Sequence, residues 1–371
     1  MLRFLTFYFL TYLCLHALVY VRLRPLLHLG RWGRLLVWLV VLIMILAPMG
    51  ARFLEVHGFH SGARLAAWAA YLWMALIIVL FFTSVAAYLL EGIWQLVSWL
   101  TDGQSSAWAP RVMAVMALVV GLAVFGYGLV AAGNVRLEEI QVTTRKLPPD
   151  HPRFRIVQVS DLHFGLMTTQ SMVDRVAKLI QQARPDLLVA TGDTIDGTTG
   201  YEDNLKAALG NLKPTYGMIA IIGNHEVYHG LAQSVSALQH WGFSVLRNRS
   251  VTLGGVVNVV GEDDPQTGTT VNESALLKQT QNGLFTVLLK HRPDVRPESL
   301  GLFDLQLSGH THDGQIFPFN FIVGLVYPYL DGFYDLGHGS ALYTSRGTGT
   351  WGPPIRVLAP PEVTVIDIVP E

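Results

Sequence analysis

The feature that most constrains this chain is its split into two parts built for different solvents. Four apolar stretches, roughly 4–21, 35–49, 65–90 and 112–133, occupy the first third of the sequence. Residues 1–133 carry eight arginines, no lysine and three acidic residues, Glu55, Glu91 and Asp102. The remaining residues hold 18 basic and 24 acidic groups. A spanning helix needs about 17–25 mostly apolar residues. The third and fourth stretches exceed that, the first meets it narrowly, and the second is short before Pro48 and Gly50. A cleaved signal peptide does not suit the first stretch, because no small-residue cleavage site follows it and further apolar segments come after.

The expected organisation is a transmembrane helical domain of about four spans over 1–133, a connector over 134–153 and an α/β domain over 154–371. The loop between the first two stretches holds Arg22, Arg24, Arg31 and Arg34 and is expected to be cytoplasmic. With four spans the α/β domain then lies on the non-cytoplasmic face of an inner or cell membrane. If the short second stretch does not span, it lies on the other face. His16, His28, His57 and His60 lack paired carboxylates and read as packing or interfacial residues; the tryptophans between 32 and 99 read as interface anchors or packing.

A net charge of −1 argues against nucleic-acid binding, which usually needs a basic face. The single cysteine, Cys14, excludes an intrachain disulfide and a thiolate metal site.

Beyond residue 133 short apolar runs alternate with helical patterns, which predicts α/β layering. Strands are expected at 154–159, 186–190, 217–222, 243–246, 256–260, 284–289, 305–308, 341–344 and 363–368. Helices are expected at 171–183, around 203–212 and around 231–241.

Polar residues of interest follow these strands directly, where ligands bind in open α/β sheets. Asp161 and His163, two apart, could grip one cation from one face of the chain. Asp193 sits in Gly192-Asp193-Thr194-Ile195-Asp196-Gly197, with Asp196 better placed as an outer acceptor. Asn224 and His225 lie in Gly223-Asn224-His225-Glu226, where Asn224 offers a neutral oxygen and His225 a proton. His291 ends one strand, and His310 and His312 follow another inside Gly309-His310-Thr311-His312-Asp313-Gly314. Singly, each group reads as readily as a turn or a packing histidine. Together they supply nitrogen and oxygen donors suited to Mn²⁺, Fe²⁺ or Zn²⁺ and not to an all-oxygen Ca²⁺ cage.

In this order, D-x-H, G-D-x-x-D, G-N-H-E, H and G-H-x-H resemble the calcineurin-like metallophosphoesterase superfamily over residues 153–371. The tail Ser345-Arg346-Gly347-Thr348-Gly349, with Gly352-Pro353-Pro354-Ile355-Arg356 and Ala359-Pro360-Pro361-Glu362, is similar to a bacterial membrane-associated branch. That branch includes YkuE- and YaeI-type phosphodiesterases and membrane-bound UDP-diacylglucosamine hydrolases. Asp313 departs from it, standing where a glycine is frequent.

The resemblance implies a four-layer sandwich of two mixed sheets flanked by helices. It implies two divalent metal ions, one held by Asp161, His163 and His312 and the other by Asn224, His291 and His310, with Asp193 shared. Asp196 would orient His225 as a catalytic pair, and Asn224 and His225 would meet substrate. The implied reaction is hydrolysis of a phosphate mono- or diester by metal-activated water.

A lipid or lipid-linked substrate is the expectation, given the apolar half. The alternatives are a soluble nucleotide, sugar or cell-wall ester with the membrane part only a tether, and a non-enzymatic sensor or scaffold. The uncharged aromatic segment 316–330 reads either as an acyl-chain or interface contact or as core packing. Arg346 reads as a phosphate contact or a structural ion pair. His151, His229, His240 and His338 read as surface or packing residues, with His229 bordering the cleft.

Overall fold

The computed structural model describes residues 2–101, 109–197, 202–269 and 271–371, so Asp102 lies outside the described residues. It divides into two units, one of residues 1–130 with 352–355 and one of residues 131–351 with 356–371.

The first unit is helical: α1 (Leu2–Leu23), α2 (Arg31–Val56), α3 (His60–Leu100) and α4 (Ala109–Ala132). All four are long and apolar enough to cross a membrane. The second is longer than its apolar run suggested, because α2 continues through Pro48 for 26 residues. Proline leaves the Met44 carbonyl without its helical donor. The Tyr8 hydroxyl donates to the adjacent Ile45 carbonyl at 3.2 Å, so α1 packs against this weakened turn. At 41 residues α3 is roughly 60 Å long, about twice a hydrocarbon core. His16 is a packing histidine, with Nδ1 on the Tyr12 carbonyl at 2.7 Å and Nε2 accepting from Trp73 at 2.8 Å. Arg22 is buried against Glu91 at 2.6 Å, which neutralises both charges inside the helical unit.

The second unit holds two six-stranded sheets. The first sheet has the order β1 (Arg136–Thr144), β12 (Glu362–Pro370), β2 (Phe154–Val159), β3 (Leu187–Ala190), β4 (Met218–Ala220), β5 (Ser244–Val245). The second has the order β10 (Gly332–Gly337), β11 (Ser340–Thr344), β9 (Leu305–Ser308), β8 (Phe285–Lys290), β7 (Val257–Glu262), β6 (Arg249–Leu253). Helices α5 (Gln170–Ala183), α6 (Glu202–Gly210) and α7 (Asn224–His240) link strands of the first sheet. Helices α8 (Glu273–Lys278) and α9 (Phe319–Gly324) belong to the second half.

Alternation along each strand builds the layers. In β2, Val157 and Val159 face a core shared with Val173, Val176 and Ile180 of α5. Phe154 and Ile156, on the other face, meet Val257, Phe285 and Leu307 of the opposite sheet. On the far side, Val260 and Leu288 pack on Leu276 and Leu277 of α8. Helix α5 starts at Thr169, whose hydroxyl accepts from the Met172 N–H, and stops at Arg184 in the left-handed region.

The expected connector is a correction. Residues 136–144 form β1, a nine-residue edge strand pairing in parallel with β12. Its outward Glu139 and Gln141 alternate with an inward set of Ile140 and Val142. Its partner lies more than two hundred residues away, beyond the reach of a local pattern.

Candidate active site

Strands β2, β3 and β4 run parallel, as do β7, β8 and β9, so the loops after them gather at one edge of both sheets. The halves are stitched there. The Gln158 amide donates to the Ser308 carbonyl at 2.9 Å, and His310 N–H donates to Asp161 Oδ1 at 3.1 Å.

Three groups of potential ligand atoms lie at this edge. Asp161, His163 and His312 form one, Asp193, His291 and His310 another, and His163, Asp193 and His225 a third that joins them. His163 Nε2 and His312 Nε2 are 3.1 Å apart, and His312 Nε2 lies 3.3 Å from Asp161 Oδ1. His310 Nδ1 and His291 Nε2 are 3.1 Å apart, and His291 Nε2 lies 3.1 Å from Asp193 Oδ2. Asn224 sits between two residues that press on Asp193. His225 N–H donates to Asp193 Oδ1 at 2.8 Å, and a Cβ on Gly223 would stand 2.2 Å from that oxygen.

The donor set fits cations. Asn224 Oδ1 is buried without a hydrogen-bond partner, although buried polar atoms are almost always paired. Burial pushes Asp161 up, but His312, His291 and His163 outweigh it and hold its carboxyl well below the ordinary range. Asp193 is likewise held low, chiefly by His291 against its burial. Burial lowers His291, yet Asp193 raises it to about 10, so its proton fills the place of a positive charge. Burial and His291 push His310 down to about 3, and burial pushes His312 down to about 4. Neutral imidazoles beside ionised carboxylates are what divalent first-row ions bind.

The backbone here is unusual. Asp161, His163, Asp193, His310 and His312 all have φ between 49° and 72°. Non-glycine residues in this region are strained and cluster at functional sites. At Gly192, φ is +90° and a Cβ would stand 2.6 Å from His291 Nδ1, so only glycine admits both the turn and the imidazole.

The residues that hold these turns carry no ligand pattern of their own. Glu226 is fully buried and accepts four backbone N–H groups, from Asp193 at 2.9 Å, Thr194 at 2.6 Å, Ile195 at 3.0 Å and Gly223 at 2.8 Å. Arg356, also fully buried, donates to the carbonyls of His312 at 3.1 Å, Arg346 at 2.7 Å and Gly349 at 3.1 Å. His291 Nδ1 meets the Thr191 carbonyl at 2.8 Å, which fixes the ring and leaves Nε2 facing the cluster. His310 Nε2 meets the Tyr327 hydroxyl at 2.9 Å. The only sequence signal for Glu226 was its place in G-N-H-E, and Tyr327 had none beyond the aromatic run.

His225 packs edge-on against His163, with ring centroids 4.7 Å apart. Its Nδ1 lies 2.7 Å from Asp196 Oδ1, and its Nε2 is 4.0 Å from Asp193 Oδ2. Burial lowers its pKa, but Asp196 and Asp193 outweigh this and raise it. Asp196 also lies 3.7 Å from His163 Nδ1. Arg346 is enclosed by Glu362, Glu138 at 3.0 Å and Asp331 at 3.9 Å, so it is an ion-paired residue. His151 pairs with Asp150 at 3.1 Å, outside the ligand groups.

A two-sheet α/β fold with nitrogen and carboxylate ligands at one edge defines a metallohydrolase. Residues 154–314 match the calcineurin-like phosphoesterase family model. An uncharacterised metallophosphoesterase of Aquifex aeolicus is 37% identical over 240 residues, covering 63% of this chain and 92% of the relative. The uncharacterised metallophosphoesterase YkuE of Bacillus subtilis is 33% identical over 247 residues, covering 63% and 85%. A Danio rerio transmembrane protein with metallophosphoesterase domain is 30% identical over 271 residues, covering 68% of this chain and 62% of that one. The match thus spans less than two thirds of the zebrafish protein. The chain belongs to the calcineurin-like metallophosphoesterases and is a metal-dependent phosphoesterase. Its four apolar helices and the transmembrane relative support membrane association.

Proposed function

We propose that the second unit hydrolyses a phosphate mono- or diester using two divalent ions, Mn²⁺, Fe²⁺ or Zn²⁺. Asp161, His163 and His312 would hold one, Asn224, His291 and His310 the other, and Asp193 would serve both. The observation that carries this reading is that the ligand groups converge on Asp193, which belongs to two of the three. Bound there, the ions supply Lewis acidity to the phosphoryl oxygens and a more acidic attacking water.

The chain's own groups do the rest. Asp196 holds His225 Nδ1, so the Nε2 proton points toward the cluster and can pass to the leaving oxygen. Asn224 and His225 open α7, and the His225 N–H bond to Asp193 Oδ1 fixes where substrate oxygens would meet them. Glu226 locks both ligand turns against the pull of charged ligands.

The substrate is a lipid or lipid-linked phosphoester, supported by four candidate spans in the same chain. All four helices being long enough to cross favours a non-cytoplasmic catalytic unit. Detergent-purified protein with Mn²⁺ should hydrolyse lipid phosphoesters in preference to soluble ones. His225→Ala should slow turnover about 10²–10⁴-fold, the usual range for a general acid, with metal content unchanged. Loss of metal in step with activity would refute the acid role.

A further inference from the structure

We infer that segment 317–326 docks on a lipid surface beside the active site. This deepens the lipid-substrate reading, and its use in catalysis rests on that reading.

The first observation is where the chain enters the catalytic unit. Arg136, the first residue of β1, pairs with Glu362, the first of β12. Strand β12 runs antiparallel to β2, with Thr364 opposite Gln158 near the end of β2. The start of β1 therefore lies at the edge where β2, β3 and β4 end and the ligand loops begin. Helix α4 ends at Ala132, leaving only residues 133–135 before β1. Such a connection spans no more than about 14 Å even when extended. An apolar helix of spanning length thus delivers the chain to the ligand edge and to no other.

The second observation is what that edge exposes. From Ile316 to Leu330 there is no charged residue. Phe321 is 67% exposed, Ile322 57%, Leu325 86% and Val326 68%. Water-facing surfaces rarely gather large apolar side chains so densely, and such patches mark interaction sites. Short apolar and aromatic segments of this kind seat in the headgroup region of a bilayer.

The third observation ties the patch to the ligands. Tyr327 follows Val326 directly, and its hydroxyl reaches both His310 Nε2 at 2.9 Å and Arg292 Nη1 at 3.5 Å. Arg292 is fixed by Asp264 at 2.6 Å. The apolar segment is therefore braced against a ligand histidine at one end, so a lipid held on it lies beside the metals.

The test uses the full chain in lipid nanodiscs with Cys14→Ser. A nitrobenzoxadiazole label is placed on Leu325→Cys or on Gln239→Cys. Gln239 is exposed near the far end of α7, beyond the break at Gly230 and away from the ligand edge at its start. With nitroxide-labelled lipid and no substrate, the label at 325 should lose at least about half its fluorescence and shift to the blue, as for a buried interfacial group. The label at 239 should change little. Equal, weak quenching at both positions would overturn the proposal and leave the patch to a protein partner. Strong quenching at 325 with hydrolysis of soluble esters only would sink the lipid-substrate reading and leave docking in place.

Discussion

Replacing Glu226 by glutamine tests the framework beneath the site. The carboxylate is fully buried, and its oxygens accept four backbone N–H groups from the two ligand turns. An amide of the same shape keeps one acceptor oxygen, enough for two of the four. The other two N–H groups then face an NH₂ and are left buried without acceptors, at about 1–3 kcal/mol each. The two surviving bonds lose their charge assistance, worth roughly 1 kcal/mol each. Burial and Asp193 push the Glu226 carboxyl up, so removing its charge returns part of that cost. The net loss is about 3–5 kcal/mol. For a unit of this size that is a melting shift of roughly 6–20 °C. Thermal unfolding of the detergent-purified protein reads it, and metal content should fall alongside because Asp193 moves. A variant melting within about 2 °C of the parent with its metals intact would refute the reasoning.

Two further outcomes follow from buried charge. Arg356→Met should destabilise by about 3 kcal/mol or more, since the carbonyls of His312, Arg346 and Gly349 lose a donor in a dry setting; chemical denaturation checks it. Glu262, nearly fully buried beside Glu273, is pushed up to about 8 by burial and by Glu273, from an ordinary 4.5. Between those values the folded state holds a proton the unfolded chain has released, so stability falls as pH rises from 4.5 to 8, by up to about 1.4 kcal/mol per unit. Glu262→Gln should flatten that slope in melts across pH 5–8, and parallel slopes would contradict it.

The fold was legible where local pattern and burial coincide. Phe154–Val159 carries apolar residues on both faces, Phe154 and Ile156 on one and Val157 and Val159 on the other, because β2 is covered on both sides, and its bounds match the expected strand. The strand-end positions of Asp161, Asp193 and His310 were legible because parallel α/β sheets present their loops there. What local pattern could not carry were contacts between distant segments. Strand β1 is defined by a partner at the far end of the chain. Glu226 and Arg356 act on backbone atoms, which no side-chain pattern advertises. Helix α2 was underestimated because Pro48 is a poor stop signal in a helix packed against a neighbour, here Tyr8. The aromatic run was readable as apolar, but only the structure separates the exposed Phe321 and Leu325 from the buried Ile316.

The central claim is a two-ion site sharing Asp193. Its most direct test is metal stoichiometry in the detergent-purified protein after Mn²⁺ loading and removal of free ion, beside Asp193→Asn. The account predicts about two ions per chain in the parent, and loss of both ions and of phosphoesterase activity in the variant. Full hydrolysis by a metal-free parent, or two ions retained by Asp193→Asn, would contradict it.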